Sequence, residues 1–282
     1  MSALTALLRP NARLLLLVPL LAALGFAALA ARAADRNRLM AFLEVTGFDV
    51  ALDSIALNAA DAPAMIERAP EDFGPAWPRI TREVFDRDAM RAMALDILAE
   101  TLDDEMLAHA AEFYASDLGQ RLVAVENAAH LQADDGGAQA EGEALLAAMP
   151  EDRRTALQAM NAAIDAGGQS LLAVQEIQFR FLMAASAAGL TEGAIDPDLL
   201  RLLLAQGAEE MREEMRASAL VNAALTYRSL STEDLRAYAE ALSHPLMARV
   251  YELMNAVQFE IMANRFEALA ARLAEVPPAQ EL

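Results

Sequence analysis

Few residues in this chain have types and spacings suited to chemistry. His109 lies four residues after Glu105 and three before Glu112, so on a helix the three share a face, as a metal-ligand set does. Ser243 directly precedes His244, a nucleophile beside a base. Asp103-Asp104-Glu105, Asp134-Asp135 and Glu209-Glu210 with Glu213-Glu214 offer the oxygen ligands that calcium takes. Each has a plainer reading. The His109 face lies opposite the apolar stripe of Leu107, Ala110, Ala111 and Tyr114, no His-Glu-x-x-His pattern occurs, and neither His130 nor His244 has a local partner pattern. Adjacent side chains at a helix end diverge, so Ser243 and His244 read as surface or capping residues. The acidic clusters lack the alternating ligands and central glycine of an EF-hand loop, and read as helix caps and solvated faces, with i to i+4 pairs near Arg212 and Arg216. The sequence therefore predicts no catalytic residue, no metal site and no cofactor.

Composition removes further chemistry. The chain has no cysteine, and all 22 of its Lys+Arg residues are arginine. This excludes thiol nucleophiles, thiolate metal ligands, disulfides and lipid acylation on cysteine, as well as Schiff-base lysines, P-loop lysines and Ser-x-x-Lys centres. With 42 Asp+Glu the net charge is −20, a surface that repels nucleic acid and anionic headgroups. Nucleic-acid binding is not expected.

The first 33 residues read as a bacterial secretory leader. Arg9 and Arg13 precede the apolar run from Leu14 to Ala31, and the run closes on Ala31-Arg32-Ala33 before Ala34. Pro19 and Gly25 interrupt the run and no basic cluster follows it, which favours cleavage over retention as a membrane anchor. Contact with the membrane is then transient, and the mature chain begins at Ala34 in the periplasm with a net charge of −23.

What remains is rich in Ala, Leu and Met and poor in β-branched and aromatic residues, which predicts an all-α protein. An internal echo recurs at a spacing of 128 residues, so the fold is expected to be two tandem helical units behind the leader. Leu102-Asp103-Asp104-Glu105-Met106-Leu107 aligns with Leu230-Ser231-Thr232-Glu233-Asp234-Leu235, each with a capping residue held between two leucines as a hydrophobic staple. Each unit reads as a long helix, a short capped helix, a tight corner and another long helix. In the first unit these are about 78–100, about 104–115, the corner Ser116-Asp117-Leu118-Gly119, and the helix after it. In the second, Asp196-Pro197 opens the long helix, Leu235, Tyr238 and Leu242 line the short one, and His244-Pro245 turns into a helix running to Leu273. Glu112 and Arg121 recur as Glu240 and Arg249, flanking each corner. The spacing predicts that each Glu–Arg pair bridges its short helix to the next.

Phe113-Tyr114-Ala115-Ser116-Asp117-Leu118-Gly119-Gln120, after the capped acidic helix start, resembles the exported bacterial family called domain of unknown function 2059, whose corner usually reads Phe-Tyr-x-Ser-Pro-x-Gly-x. Asp117 stands where that proline is usual. The second corner keeps Pro245 but has Met247 for the glycine and Ala241-Leu242 for the aromatic pair. The resemblance covers about residues 85–130 well and 213–260 weakly. It implies an exported α-helical module and no established reaction.

The expected organisation is a leader at 1–33, helical unit 1 at 34–131, a loop and connecting helix at 132–168, helical unit 2 at 169–275 and a disordered tail at 276–282. Upstream segments 38–44 and 50–60 break at Gly47, and 71–78 forms a rigid connector in which Trp77 is a packing anchor. The 14 methionines, with clusters such as Met90-Met93 and Met211-Met215, suit either helix cores or an adaptable apolar groove. The reading favours a non-catalytic envelope module that binds a protein, peptide or lipid partner. The alternative is a hydrolase or metal-dependent enzyme using Glu, Asp, His and Ser from a cleft between the units.

Overall fold

The computed structural model describes residues 35–131, 137–166 and 168–276. The leader with its Ala31, Ala33 and Ala34 cleavage box, most of the polar passage before Ala138, and the tail after Val276 lie outside the described residues. The described chain is all-α, with no strand and no helix long and apolar enough to cross a membrane.

Helix α1 spans 35–46 and stops at Gly47, whose φ of 75° lies in the left-handed region that favours glycine. A Cβ there would stand 2.6 Å from Asn127 Oδ1, the end of a side chain that can shift, so the left-handed φ is what reserves position 47 for glycine. Helix α2 (Phe48–Ser54) follows, then two 3-10 stretches, Ile55–Ile66 and Pro70–Ala76, the second placing Phe73 in a stack with Trp77, ring centroids 5.9 Å apart. The expected single helix over 78–100 is two, α3 (Trp77–Val84) and α4 (Arg87–Thr101). Asp86 explains the break: its carboxylate accepts from Ala89 N at 2.9 Å and starts a fresh helix.

Helix α5 (Asp104–Tyr114) is capped by Asp103, which accepts from Met106 N at 2.8 Å, and α6 (Asp117–Leu131) follows the corner. Helix α7 (Ala138–Ala147) is an additional helix in the stretch 132–168, where a loop and one connecting helix were expected. Its buried residue is Gly142, where a Cβ would stand 2.7 Å from Val221 Cγ1, so close backbone approach replaces the apolar stripe that would have announced it. Helices α8 (Glu151–Ile164) and α9 (Gln169–Ala187) lead to α10 (Pro197–Gln206), opened by Asp196 accepting from Leu199 N. Gly207 ends α10, and α11 (Ala208–Thr226) restarts at once. Helix α12 (Thr232–Leu242) begins on a capping box between Ser231 and Asp234, and α13 (Pro245–Leu273) begins on His244.

The core is one contiguous cluster running from Leu39 to Leu273. Its axis is α13, which buries Met247, Val250, Met254, Val257, Ile261, Phe266, Leu269 and Leu273 at helical spacing and packs on α9, α5, α4, α3 and α8. Burying each such side chain is worth roughly 1.5–3 kcal/mol, so most of the stability is apolar packing. The methionines follow suit: Met90, Met106, Met160, Met247 and Met254 are buried.

Candidate functional site

The corner residues take structural positions. Ser116 Oγ donates to Phe113 O at 2.6 Å and accepts from Gly119 N at 3.1 Å, fixing the turn from α5 into α6. A Cβ on Gly119 would stand 2.3 Å from Phe113 O and 2.5 Å from Tyr114 Cα, both backbone atoms that cannot swing away. Pro245 occupies the first turn of α13, where its missing N–H costs nothing.

The arginines correct the expectation set for them. No ion pair joins Glu112 to Arg121 or Glu240 to Arg249 among the described residues. Arg121 instead reaches Asp234 in the first turn of α12 at 2.6 Å, and Arg249 reaches Asp103, the cap of α5, at 3.6 Å. Each arginine crosses to the start of the other short helix, where a carboxylate already serves the helix end. His109 and His244 also meet, rings stacked at 4.3 Å. Among the described residues no group of three His, Cys, Asp or Glu could hold a metal ion.

The polar constellation that does form was not singled out in the sequence. The chain has four tyrosines, and all four converge. Tyr227 donates to Glu126 Oε1 at 2.7 Å and Tyr238 to the same oxygen at 3.0 Å. Tyr251 contacts the hydroxyls of both Tyr238 and Tyr114, and Tyr114 stands 3.2 Å from Tyr238. Four phenolic protons must serve five contacts. With the Tyr238 proton on Glu126, the two closest hydroxyl contacts order a chain from Tyr114 through Tyr251 and Tyr238 to the carboxylate, leaving the 3.2 Å contact without a proton. Glu126 Oε2 takes no hydrogen bond among the described residues.

Five elements build this cluster: α5 supplies Tyr114, α6 Glu126, the end of α11 Tyr227, α12 Tyr238 and α13 Tyr251. The stack of Phe113 on Tyr238, centroids 6.0 Å apart, ties the corner to it. Burial pushes the Glu126 carboxyl from 4.5 up to about 7, outweighing the tyrosine hydrogen bonds that pull it down. Burial, with Glu126 adding to it, also holds all four tyrosines above their ordinary range.

Beside the cluster lies a cavity of about 310 Å³ lined by Glu126, three of the tyrosines, His130, Asn127, Asn161, Asn222, Asn255, Gln258, Thr46 and Thr226, with Phe48, Ile164 and alanines between them. His130, one turn after Glu126, is held below its ordinary range by burial and is neutral at pH 7. Among the described residues the lining contains no arginine. A more apolar groove of about 490 Å³ runs between α9 and α13 past Leu172 and Phe259, and no methionine lines it.

Comparison with known proteins bears on the corner. Residues 88–148 match the family described as an uncharacterized protein conserved in bacteria, DUF2059. The DUF2059 stretch runs from α4 into the turn after α7, and so contains the Phe113–Gly119 corner, Tyr114 and Glu126, the centre of the cluster. Tyr227, Tyr238 and Tyr251 come from outside it. No curated protein and no solved structure matches the chain.

The sequence carried a signal for Glu126. It lies four residues after the buried Leu122 and seven after Gly119, a carboxylate on the packed stripe of α6. Nothing local announced that tyrosines from three later segments would meet it.

Proposed function

We propose that this chain is a non-catalytic binding module of the bacterial cell envelope, exported by its leader to the periplasm, which receives a small polar ligand in the cavity beside Glu126. The observation that carries this reading is the network of all four tyrosines, two of them bonded directly, around one cavity-lining carboxylate whose second oxygen takes no hydrogen bond among the described residues. A network that expensive to bury, with one acceptor left over, is a pre-organised recognition surface. A carboxyl titrating near neutrality is also what a general base needs. The binding reading is favoured because the lining offers no serine, cysteine or lysine nucleophile, the Thr46 hydroxyl is committed to the carbonyls of Phe42 and Leu43, and the Thr226 hydroxyl has no hydrogen bond to Glu126 or His130 that would activate it among the described residues.

The test is to recover the chain from a periplasmic extract, sequence its N-terminus, and compare small molecules released on denaturation from the wild type and from Thr226→Trp, which fills the cavity. The expected result is an N-terminus at Ala34 and a small polar compound enriched only with the wild type. Recovery from the cytoplasm beginning at Met1 would overturn the export reading, and equal release from both proteins the cavity reading.

A further inference from the structure

We infer that the Glu126 cavity selects a small organic ammonium ion, a proposal that rests on the binding reading above and names its ligand class. Among the described residues the lining holds one carboxylate and no arginine, and the chain has no lysine, so no described cation balances Glu126 within the cavity. Every titratable group facing it is an acid or a neutral base: Tyr227 from the end of α11, Tyr238 from α12, Tyr251 from α13, Tyr114 behind them from α5, and His130 on its own helix. An anion entering here meets a like charge with no compensating donor of positive sign. A neutral alcohol satisfies hydrogen bonds but leaves the buried charge uncompensated.

An ammonium group does both. Its N–H donors suit Glu126 Oε2, an acceptor that takes no hydrogen bond among the described residues, and the same lining includes asparagines and Gln258, whose amide oxygens are acceptors. The organic part has Tyr227, Tyr238, Tyr251 and Phe48 against which to pack, and aromatic faces attract cations. The whole chain, at −20, raises the local concentration of cations and lowers that of anions. The cavity is at the small end of ligand sites, which fits a single amine rather than a peptide.

The experiment titrates the full chain with butylammonium, erythritol and butyrate in turn, following the side-chain amide signals of Asn127, Asn222 and Asn255 by NMR. Near pH 8, where Glu126 is ionised, butylammonium should shift these signals saturably and butyrate should not. Affinity should fall about tenfold or more in Glu126→Gln, and by a similar factor near pH 5.5, where the carboxyl is protonated. Tyr227→Phe, which keeps the charge and loses one hydrogen bond, should still bind. Saturation by erythritol or butyrate in preference to butylammonium, or amine binding that survives Glu126→Gln, overturns the ammonium assignment and leaves a binding cavity standing. If none of the three compounds moves the signals, the ammonium assignment and the binding reading fall together.

Discussion

Glu126 costs the fold stability that a neutral residue would not. Its carboxyl titrates near 4.5 when unfolded and near 7 when folded, so between those values the native state holds a proton that the unfolded state has lost. Stability from this group is therefore full below about pH 4.5 and falls as pH rises toward 7, a loss of about 3 kcal/mol across the window. Glu126→Gln removes that loss. Denaturant melts at a series of pH values should show the variant gaining on the wild type by a few kcal/mol between pH 4.5 and 8, and a constant difference would contradict the shift. The tyrosines give an independent reading. Since all four are in the cluster and all are held above their ordinary range, an alkaline absorbance titration should show no phenolate until the protein unfolds, and then all four together.

The corner between α5 and α6 is where local sequence specifies geometry most tightly. Gly119→Ala would drive a Cβ into the backbone of Phe113 and Tyr114, costing about 3 kcal/mol or more, whereas Gly168→Ala meets no neighbour and carries only the left-handed penalty, about 1 kcal/mol. Thermal denaturation of the two variants tests this ranking. The crossed pairs Arg121–Asp234 and Arg249–Asp103 are half-exposed and each contributes only about 0–1 kcal/mol. Caps and turns of this kind were readable in the sequence. Asp103, Ser116, Ser231, Asp196-Pro197 and His244-Pro245 all sit at the helix starts their chemistry predicts. The break at Asp86 comes without a glycine or proline to announce it, and α7 lacks an apolar stripe because a glycine makes its closest contact. Side-chain partners over long range were legible only as far as residue types. Arg121 and Arg249 hold equivalent places in the sequence, yet their partners lie 113 and 146 positions away, and no local pattern encodes such a pairing.

The molecule has one core, not a chain of small ones. Residues from 34–131 and from 169–275 contribute to the same buried cluster, and α13 touches helices from both stretches. The tyrosine network repeats this at its centre, with α5 and α6 meeting the end of α11, α12 and α13. Equilibrium unfolding should accordingly be a single transition at all probes, and a chain ending at Gly168 should lack cooperative folding, since it loses the helix on which the others pack. Two transitions, or a stable N-terminal fragment, would contradict a shared core. On the proposed reading, the protonation of Glu126 governs what the polar cavity beside it accepts. The most direct test is a carbon-13 NMR titration of the Glu126 carboxyl in the intact protein. The midpoint should lie near 7 and fall when butylammonium is saturating; a midpoint near 4.5 that the amine leaves unmoved would contradict a buried, amine-binding carboxylate.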